Sequence, residues 1–274
     1  FPMGAFSLID LIGVDTNMRN TLSLYNAYYQ EKRFRPSPIQ QEYVDGGRLG
    51  KKSGCGFFQY IDGKTVISPA LHPRGAPSPK KVIAYAPNGL AAILAQRASA
   101  DIDGSVNEQK LSIDGLPLFI SDGQFVADKR QQCGKPCVMS DWVVCGDKTN
   151  VVALAASADC GENEKNIAAG FFQSLGMDVI FINDTAGMII HRVLCLLINE
   201  ALFAIMQGVC SVDDCDTALA YGMNFSPPPL MLAQQLGYAT ILTSLQTLHH
   251  YTGEDKFSPS AELYRQARQT EQTI

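Results

Sequence analysis

Lys52 is the side chain in this sequence best suited to meeting an anion. It stands in Gly50-Lys51-Lys52-Ser53-Gly54, beside a hydroxyl and between residues that leave the backbone free to approach a ligand. An ammonium point charge in such a setting suits a phosphate; the competing reading is a solvated surface lysine. The four histidines offer less. His191 lies in an apolar stretch beside Arg192 and reads as packed and hydrogen-bonded. His249 and His250 read as surface residues near a helix end, where cationic side chains suit the dipole. The eight cysteines show no C-x2-C pair and no histidine at zinc spacing; Cys133 and Cys137 are the tightest pair. They read as free thiols in a reducing cytosol, with no metal site. Asp213, Asp214 and Asp216 form an acidic cluster, of which Asp213 and Asp214 fit the first turn of a helix better than acid–base chemistry. Trp142 and the Phe171-Phe172 pair read as core.

The elements that must position these residues come from a chain with room for a substantial core. The 274 residues are 46% hydrophobic and 18% charged, as in globular proteins. A net charge of −5 and a pI near 5.4 give no reason to expect nucleic acid or an anionic membrane as partner. The longest apolar stretch, 186–208, carries His191, Arg192, Asn199 and Glu200, and reads as a buried helix rather than a membrane span. No secretory signal is visible, and a cytoplasmic location is expected.

Three segments differ in pattern. Residues 1–60 are helical, with apolar faces through Leu8, Leu11 and Ile12 and then Leu22, Leu24, Tyr25, Tyr28 and Tyr29, and they end in a glycine-rich tail. Residues 61–80 hold Pro69, Pro73, Pro77 and Pro79 and read as a linker. Residues 81–182 alternate short apolar runs with helical stretches. Runs at 82–85, 116–120, 138–139, 151–154 and 179–182 predict buried strands, 163–175 predicts a helix closed by Gly176, and the alternation predicts a mostly parallel sheet. Residues 183–274 are helical again, with a start at Ser211, a stop at Gly222 and a break at Pro227-Pro228-Pro229.

The last segment repeats the first. A shift of 224 places Phe1 on Phe225, Leu8 on Leu232, Gly13 on Gly237 and Thr16 on Thr240; a shift of 223 places Tyr28 on Tyr251, Phe34 on Phe257, Pro36 on Pro259 and Ser37 on Ser260. Ordered identities with one single-residue gap predict a duplicated helical domain.

Two stretches carry a family resemblance. Residues 1–6, with Leu8, Asp10, Gly13 and Asp15, resemble the "PMGPFEL.D..GLD" stretch of the 3-hydroxyacyl-CoA dehydrogenases, and residues 33–38 and 47–60 resemble the tail closing that family's helical domain. Asp184-Thr185-Ala186-Gly187 through His191-Arg192, with Asn199-Glu200-Ala201, resembles the family's entry into the helical domain. The resemblance is closest to longer bacterial enzymes with two helical copies. It implies a fold of class α plus α/β, in which a duplicated all-helical dehydrogenase C-terminal domain flanks a degenerate Rossmann-like parallel-sheet segment.

The resemblance also implies hydride transfer from C3 of a 3-hydroxyacyl-CoA to NAD, with a His base, an orienting Glu, and Ser and Asn groups at the oxyanion. It implies a cofactor contact for Lys52 and places Pro2, Met3 and Gly4 in the substrate cleft; without it, those three residues read as a helix-entry turn in which Gly4 avoids a Cβ clash. The family's Asn position falls on His191 and its Glu position on Ala153, no histidine lies between His72 and His191, and no G-x-G-x-x-G follows the strand at Val82. The expected reading is therefore the C-terminal portion of such an enzyme. Residues 1–60 are the second half of a first helical domain, 61–80 a linker, 81–182 a degenerate Rossmann-like domain and 183–274 a second helical domain. This chain would carry no catalytic residues and no bound NAD, and would meet 3-hydroxyacyl-CoA, a coenzyme A ester of β-oxidation, only through a domain elsewhere. The alternative is a non-catalytic dimerisation or assembly module covering the active copy. Either way a homo-oligomer such as a dimer is expected.

Overall fold

The computed structural model describes residues 3–66, 69–103, 108–144 and 151–271. They form two compact units, one of residues 1–69 with 254–256 and one of 70–253 with 257–274.

The smaller unit begins with α1 (Ala5–Ile12) and α2 (Val14–Ala27), joined by Gly13 alone. Gly13 ends one helix and starts the next at φ 99°, where a Cβ would lie 2.8 Å from both Asp15 Oδ1 and Lys52 Nζ. Ser37-Pro38 opens α3 (Pro38–Asp45), and the Ser37 N–H donates to Gln40 Oε1 at 3.0 Å. The chain then makes a 3-10 turn at Lys51–Ser53 and a hairpin of β1 (Gln59–Ile61) and β2 (Lys64–Val66). Asp62 and Gly63 both take positive φ at its tip, as a type I′ turn requires.

The segment expected to be a linker over 61–80 contains the division between the two units, at Pro69/Ala70. Its first residues form the hairpin, and from Ala70 it belongs to the larger unit as a strap over α6 (Glu162–Ser174). Gln173 accepts from the Gly75 and Ala76 N–H groups at 3.2 and 3.1 Å and donates to the Pro73 carbonyl. Gly170 lets the strap lie close, since a Cβ there would come 2.1 Å from the Pro77 oxygen. The prolines stiffen a docked strap; they do not mark a free connection.

The larger unit is built on a seven-stranded sheet in the order β4 (Asp101–Ile102), β3 (Val82–Ala84), β5 (Lys110–Ile113), β6 (Leu116–Ile120), β7 (Val138–Ser140), β8 (Val151–Ala156) and β9 (Asp178–Phe181). The sheet is mixed, not mostly parallel. β3/β4, β6/β7 and β8/β9 run parallel, while β3/β5, β5/β6 and β7/β8 run antiparallel. One cause is local: Asp114-Gly115, both at positive φ, turn β5 directly into β6 as a hairpin. α4 (Gly89–Arg97), α5 (Val126–Cys133) and α6 accompany the sheet.

Among the described residues five further α-helices follow: α7 (Ile190–Met206), α8 (Val212–Met223), α9 (Pro229–Leu236), α10 (Tyr238–Thr252) and α11 (Ala261–Glu271). α8 runs through Gly222 and stops at Asn224, which takes the left-handed conformation, so the expected stop is displaced by two residues. One hydrophobic core runs from Ala84 and Leu118 in the sheet to Leu248 and Leu263 in the helices. The sheet segment and the last helices thus share one core within the larger unit. No helix among the described residues is long and apolar enough to cross a membrane.

The repeat holds element by element. Adding 224 to the limits of α1 gives 229–236, those of α9, and α2 likewise begins where α10 does. Gly237 joins its helices at φ 86° as Gly13 does at 99°. With the shift of 223, the 3-10 turn Lys32–Phe34 falls on Asp255–Phe257 and the start of α3 on that of α11.

Candidate functional site

In the smaller unit the glycine-rich tail is tied to α1 by one carboxylate. Asp10 is fully buried and accepts from the Phe57 and Phe58 N–H groups, both at 2.9 Å, and from the Tyr60 hydroxyl at 3.0 Å. Burial, and then the hydrogen bond to Asp10, push the Tyr60 phenol above its ordinary pKa. The tail motif follows from this closeness. A Cβ on Gly56 would lie 2.2 Å from Asp10 Oδ1, and one on Gly50 would lie 2.4 Å from the Asp10 carbonyl oxygen. Arg48 closes the loop by donating to the Gly56 carbonyl at 2.7 Å while stacking on Tyr43.

This anchored tail holds Lys52 on its 3-10 turn. The ammonium donates to Asp15 Oδ1 at 2.5 Å, and that bond draws the Asp15 carboxyl below its ordinary pKa. About half of the Lys52 side chain remains in solvent, so the amine is both positioned and reachable. Met3 is exposed at the entry to α1 and Gly4 is its N-cap; Pro2 lies outside the described residues. Among the described residues nothing lies within 4 Å of a Cβ built on Gly4. The described residues thus show no clash of the kind expected to require glycine there.

In the larger unit, β3 leads into α4 through Pro87-Asn88-Gly89, the strand-to-helix turn at which a dinucleotide-binding fold receives a pyrophosphate. Here the position is taken by Gln109. Its Oε1 accepts from the Ala91 N–H at 3.1 Å and its Nε2 donates to the Asn88 carbonyl at 2.9 Å. A Cβ on Gly89 would meet that amide at 2.6 Å. The chain's own carboxamide satisfies the N–H group a phosphate would use, and the cradle does not fit a dinucleotide.

His191 also sits in a sealed place. Its ring is fully buried, stacks on Trp142 with centroids 4.1 Å apart, and joins Ser121 Oγ through Nδ1 at 2.9 Å. Its Nε2 has no hydrogen-bond partner among the described residues. Burial, then the Arg192 charge, lower its pKa to about 3, so the ring is neutral and shut away from solvent. Below it Asp141 caps α7, accepting from the N–H groups of Trp142, Ile189, Ile190 and His191 at 2.7–3.0 Å. Burial nonetheless raises the Asp141 carboxyl. Sequence reasoning missed Ser121 and Asp141, because their partners lie about 50 or more positions away and no periodicity links them. Ala153, in β8, offers no carboxylate. Burial pushes the Cys137 thiol up to about 12, which removes it as a nucleophile.

A model of the 3-hydroxyacyl-CoA dehydrogenase C-terminal domain matches residues 1–60 and 187–272, and one of the 3-hydroxybutyryl-CoA dehydrogenase reduced Rossmann-fold domain matches residues 118–185. The chain belongs to the 3-hydroxyacyl-CoA dehydrogenase family. Among relatives of this family, a 3-hydroxyadipyl-CoA dehydrogenase of Escherichia coli is 36% identical over 97% of this chain and 51% of its own length. A probable 3-hydroxybutyryl-CoA dehydrogenase of Deinococcus radiodurans is 35% identical over 32% of each chain. The crystal structure of a 3-hydroxybutyryl-CoA dehydrogenase from Escherichia coli K12 covers the whole chain with a TM-score of 0.83 at 33% identity, using 53% of that protein. The chain thus spans about half the length of its full-length relative. The reduced Rossmann-fold model begins beyond β3, α4 and Gln109, the elements that would have made the cradle.

Proposed function

We propose that this chain is the C-terminal half of a cytoplasmic NAD-dependent 3-hydroxyacyl-CoA dehydrogenase, and that hydride transfer takes place on a part of the enzyme this chain does not supply. When bound, NAD accepts the hydride from C3 of the substrate. Of this chain's residues, Lys52 would hold the cofactor by its charge, and Pro2, Met3 and Gly4 would border the substrate. The larger unit takes no part in proton transfer. The observation that carries this reading is the sealed His191, which stands at the family's Asn position with a stacked indole over it and Ala153 at the Glu position.

The test is turnover and cofactor binding. The chain alone is expected to neither oxidise NADH with acetoacetyl-CoA nor quench NADH fluorescence, and addition of the upstream half of the same gene product is expected to restore both. Turnover by the chain alone would sink the proposal. A second reading, a dimerisation or assembly module that covers the active copy, is favoured by the exposed apolar side chains of α1.

A further inference from the structure

Two cysteines meet at the start of α8. Ser211 is the N-cap of this helix, and its hydroxyl accepts from the Asp214 N–H at 3.2 Å. Cys210 thus stands one residue before the cap, and Cys215 is the fourth residue of the helix. These are the two positions that a hydrophobic staple brings together around a capped helix start. The Cys215 N–H donates to the Ser211 carbonyl at 3.0 Å, which fixes the turn between them. Cys215 is 8% exposed and belongs to the core of the larger unit, while Cys210 is half-buried and packs against that core. Both are free thiols, and each is the other's hydrogen-bond partner. Access to them is unequal. Cys210 lies between exposed Val209 and exposed Ser211, whereas Cys215 is sealed beneath it. Among the described residues no further His, Cys, Asp or Glu joins the pair in a group that could hold a metal ion.

We propose that Cys210 and Cys215 are a redox modification site, which closes as a disulfide across the first turn of α8 and secures the corner between α8 and α9. The oxidant is a small-molecule disulfide such as oxidised glutathione. The Cys210 thiolate attacks one of its sulfurs, the glutathione S–S bond breaks, and one glutathione thiolate leaves and takes up a proton. The Cys215 sulfur then attacks the Cys210 sulfur of the mixed disulfide, and the second glutathione departs with the Cys215 proton. Two protein thiols are oxidised to one disulfide, and one glutathione disulfide is reduced to two thiols. Burial, and then Cys210 itself, push the Cys215 thiol up to about 11, with Asp216 adding to the effect. The share due to Cys210 disappears once that sulfur is held in the mixed disulfide, so the first step prepares the second. The corner matters because Asp216 of α8 accepts from the Leu230 and Met231 N–H groups at 2.9 Å each and so caps α9. The site is independent of the dehydrogenase reading, and its test reads no activity.

The test uses the unmodified chain, equilibrated in mixtures of oxidised and reduced glutathione and mapped by mass spectrometry without reduction. The Cys210–Cys215 bond is expected to form in the native chain at an oxidant level at least about tenfold lower than in the same chain unfolded in urea. Hydrogen exchange at the Leu230 and Met231 amides is expected to slow on closure. Cys215→Ser should stop the reaction at a glutathione adduct on Cys210, and Cys210→Ser should leave Cys215 untouched. Equal closure in the native and urea-unfolded chains would overturn the proposal, since the folded start of α8 would then contribute nothing. So would a native chain in which Cys210 carries glutathione beside a free Cys215, or in which the two thiols pair with other cysteines or stay reduced. Unchanged exchange at Leu230 and Met231 in the closed chain would remove the claim on the α8–α9 corner.

Discussion

The His191 ring binds a proton far less readily in the folded chain than in the unfolded one, where its pKa is near 6.5. Between that value and about 3 the unfolded state holds the extra proton, so folding stability rises with pH across this window and is lost as pH falls through it. Where the unfolded ring is charged, the loss approaches about 1.4 kcal/mol per pH unit. His191→Asn, which removes the titration, is expected to flatten that limb in thermal melts between pH 6 and 4. A slope equal to that of the unsubstituted chain would exclude the ring as its source. Asp141→Ala strips four backbone N–H groups of their acceptor at the head of a buried helix and is expected to cost about 3 kcal/mol or more in urea unfolding. Lys52 should behave oppositely. Its pairing with Asp15 is half exposed, so Lys52→Met should change stability by less than about 1 kcal/mol. In the reassembled enzyme the same variant should raise the KM for NADH by roughly tenfold, the loss of one charge-assisted bond.

At the scale of elements, the tail is held by geometry that tolerates no side chain. Gly56→Ala drives a methyl into the Asp10 carboxylate and is expected to cost about 2–3 kcal/mol, because it separates a buried charge from three donors at once. Tyr60 reports the event: its titration should move back toward that of a free phenol as the contact with Asp10 is lost. Lys52 and the glycines of this tail were visible in the sequence as a motif. What they are for was not, since Asp10 lies almost 50 positions upstream and nothing in the spacing connects the two. The β5–β6 hairpin is legible in the sequence, since Asp114-Gly115 is the two-residue turn signal, and this turn makes the sheet mixed where the alternation of strands and helices alone implies a parallel one. The docking of the strap at 70–79 was not legible in the sequence for a physical reason. Proline marks stiffness equally in a free linker and in a segment docked by side-chain amides such as Gln173, and only the contacts tell them apart.

At the scale of the whole molecule, the repeat was the most legible feature, because Gly13 and Gly237 must sit at the same positive φ and the helices on either side must start in register. The division expected at 182/183 falls close to where the two family models meet, at 185 and 187, although sheet and helices bury one another's apolar faces in one core. Two compact units predict two calorimetric transitions, of about 50 kcal/mol for the smaller unit by residue count and several times less than the larger unit's. Asp10→Ala should shift the smaller transition alone; a single transition moving as a whole would show that the units melt together. The Asp10 contact has a mechanical side as well. Pulling on the chain beyond β2 draws first on the hairpin and then on the tail, where three hydrogen bonds converge on one carboxylate. That carboxylate acts as a fuse: while it holds, tension ends at α1, and when it parts, roughly a dozen residues of slack are released before any helix is loaded.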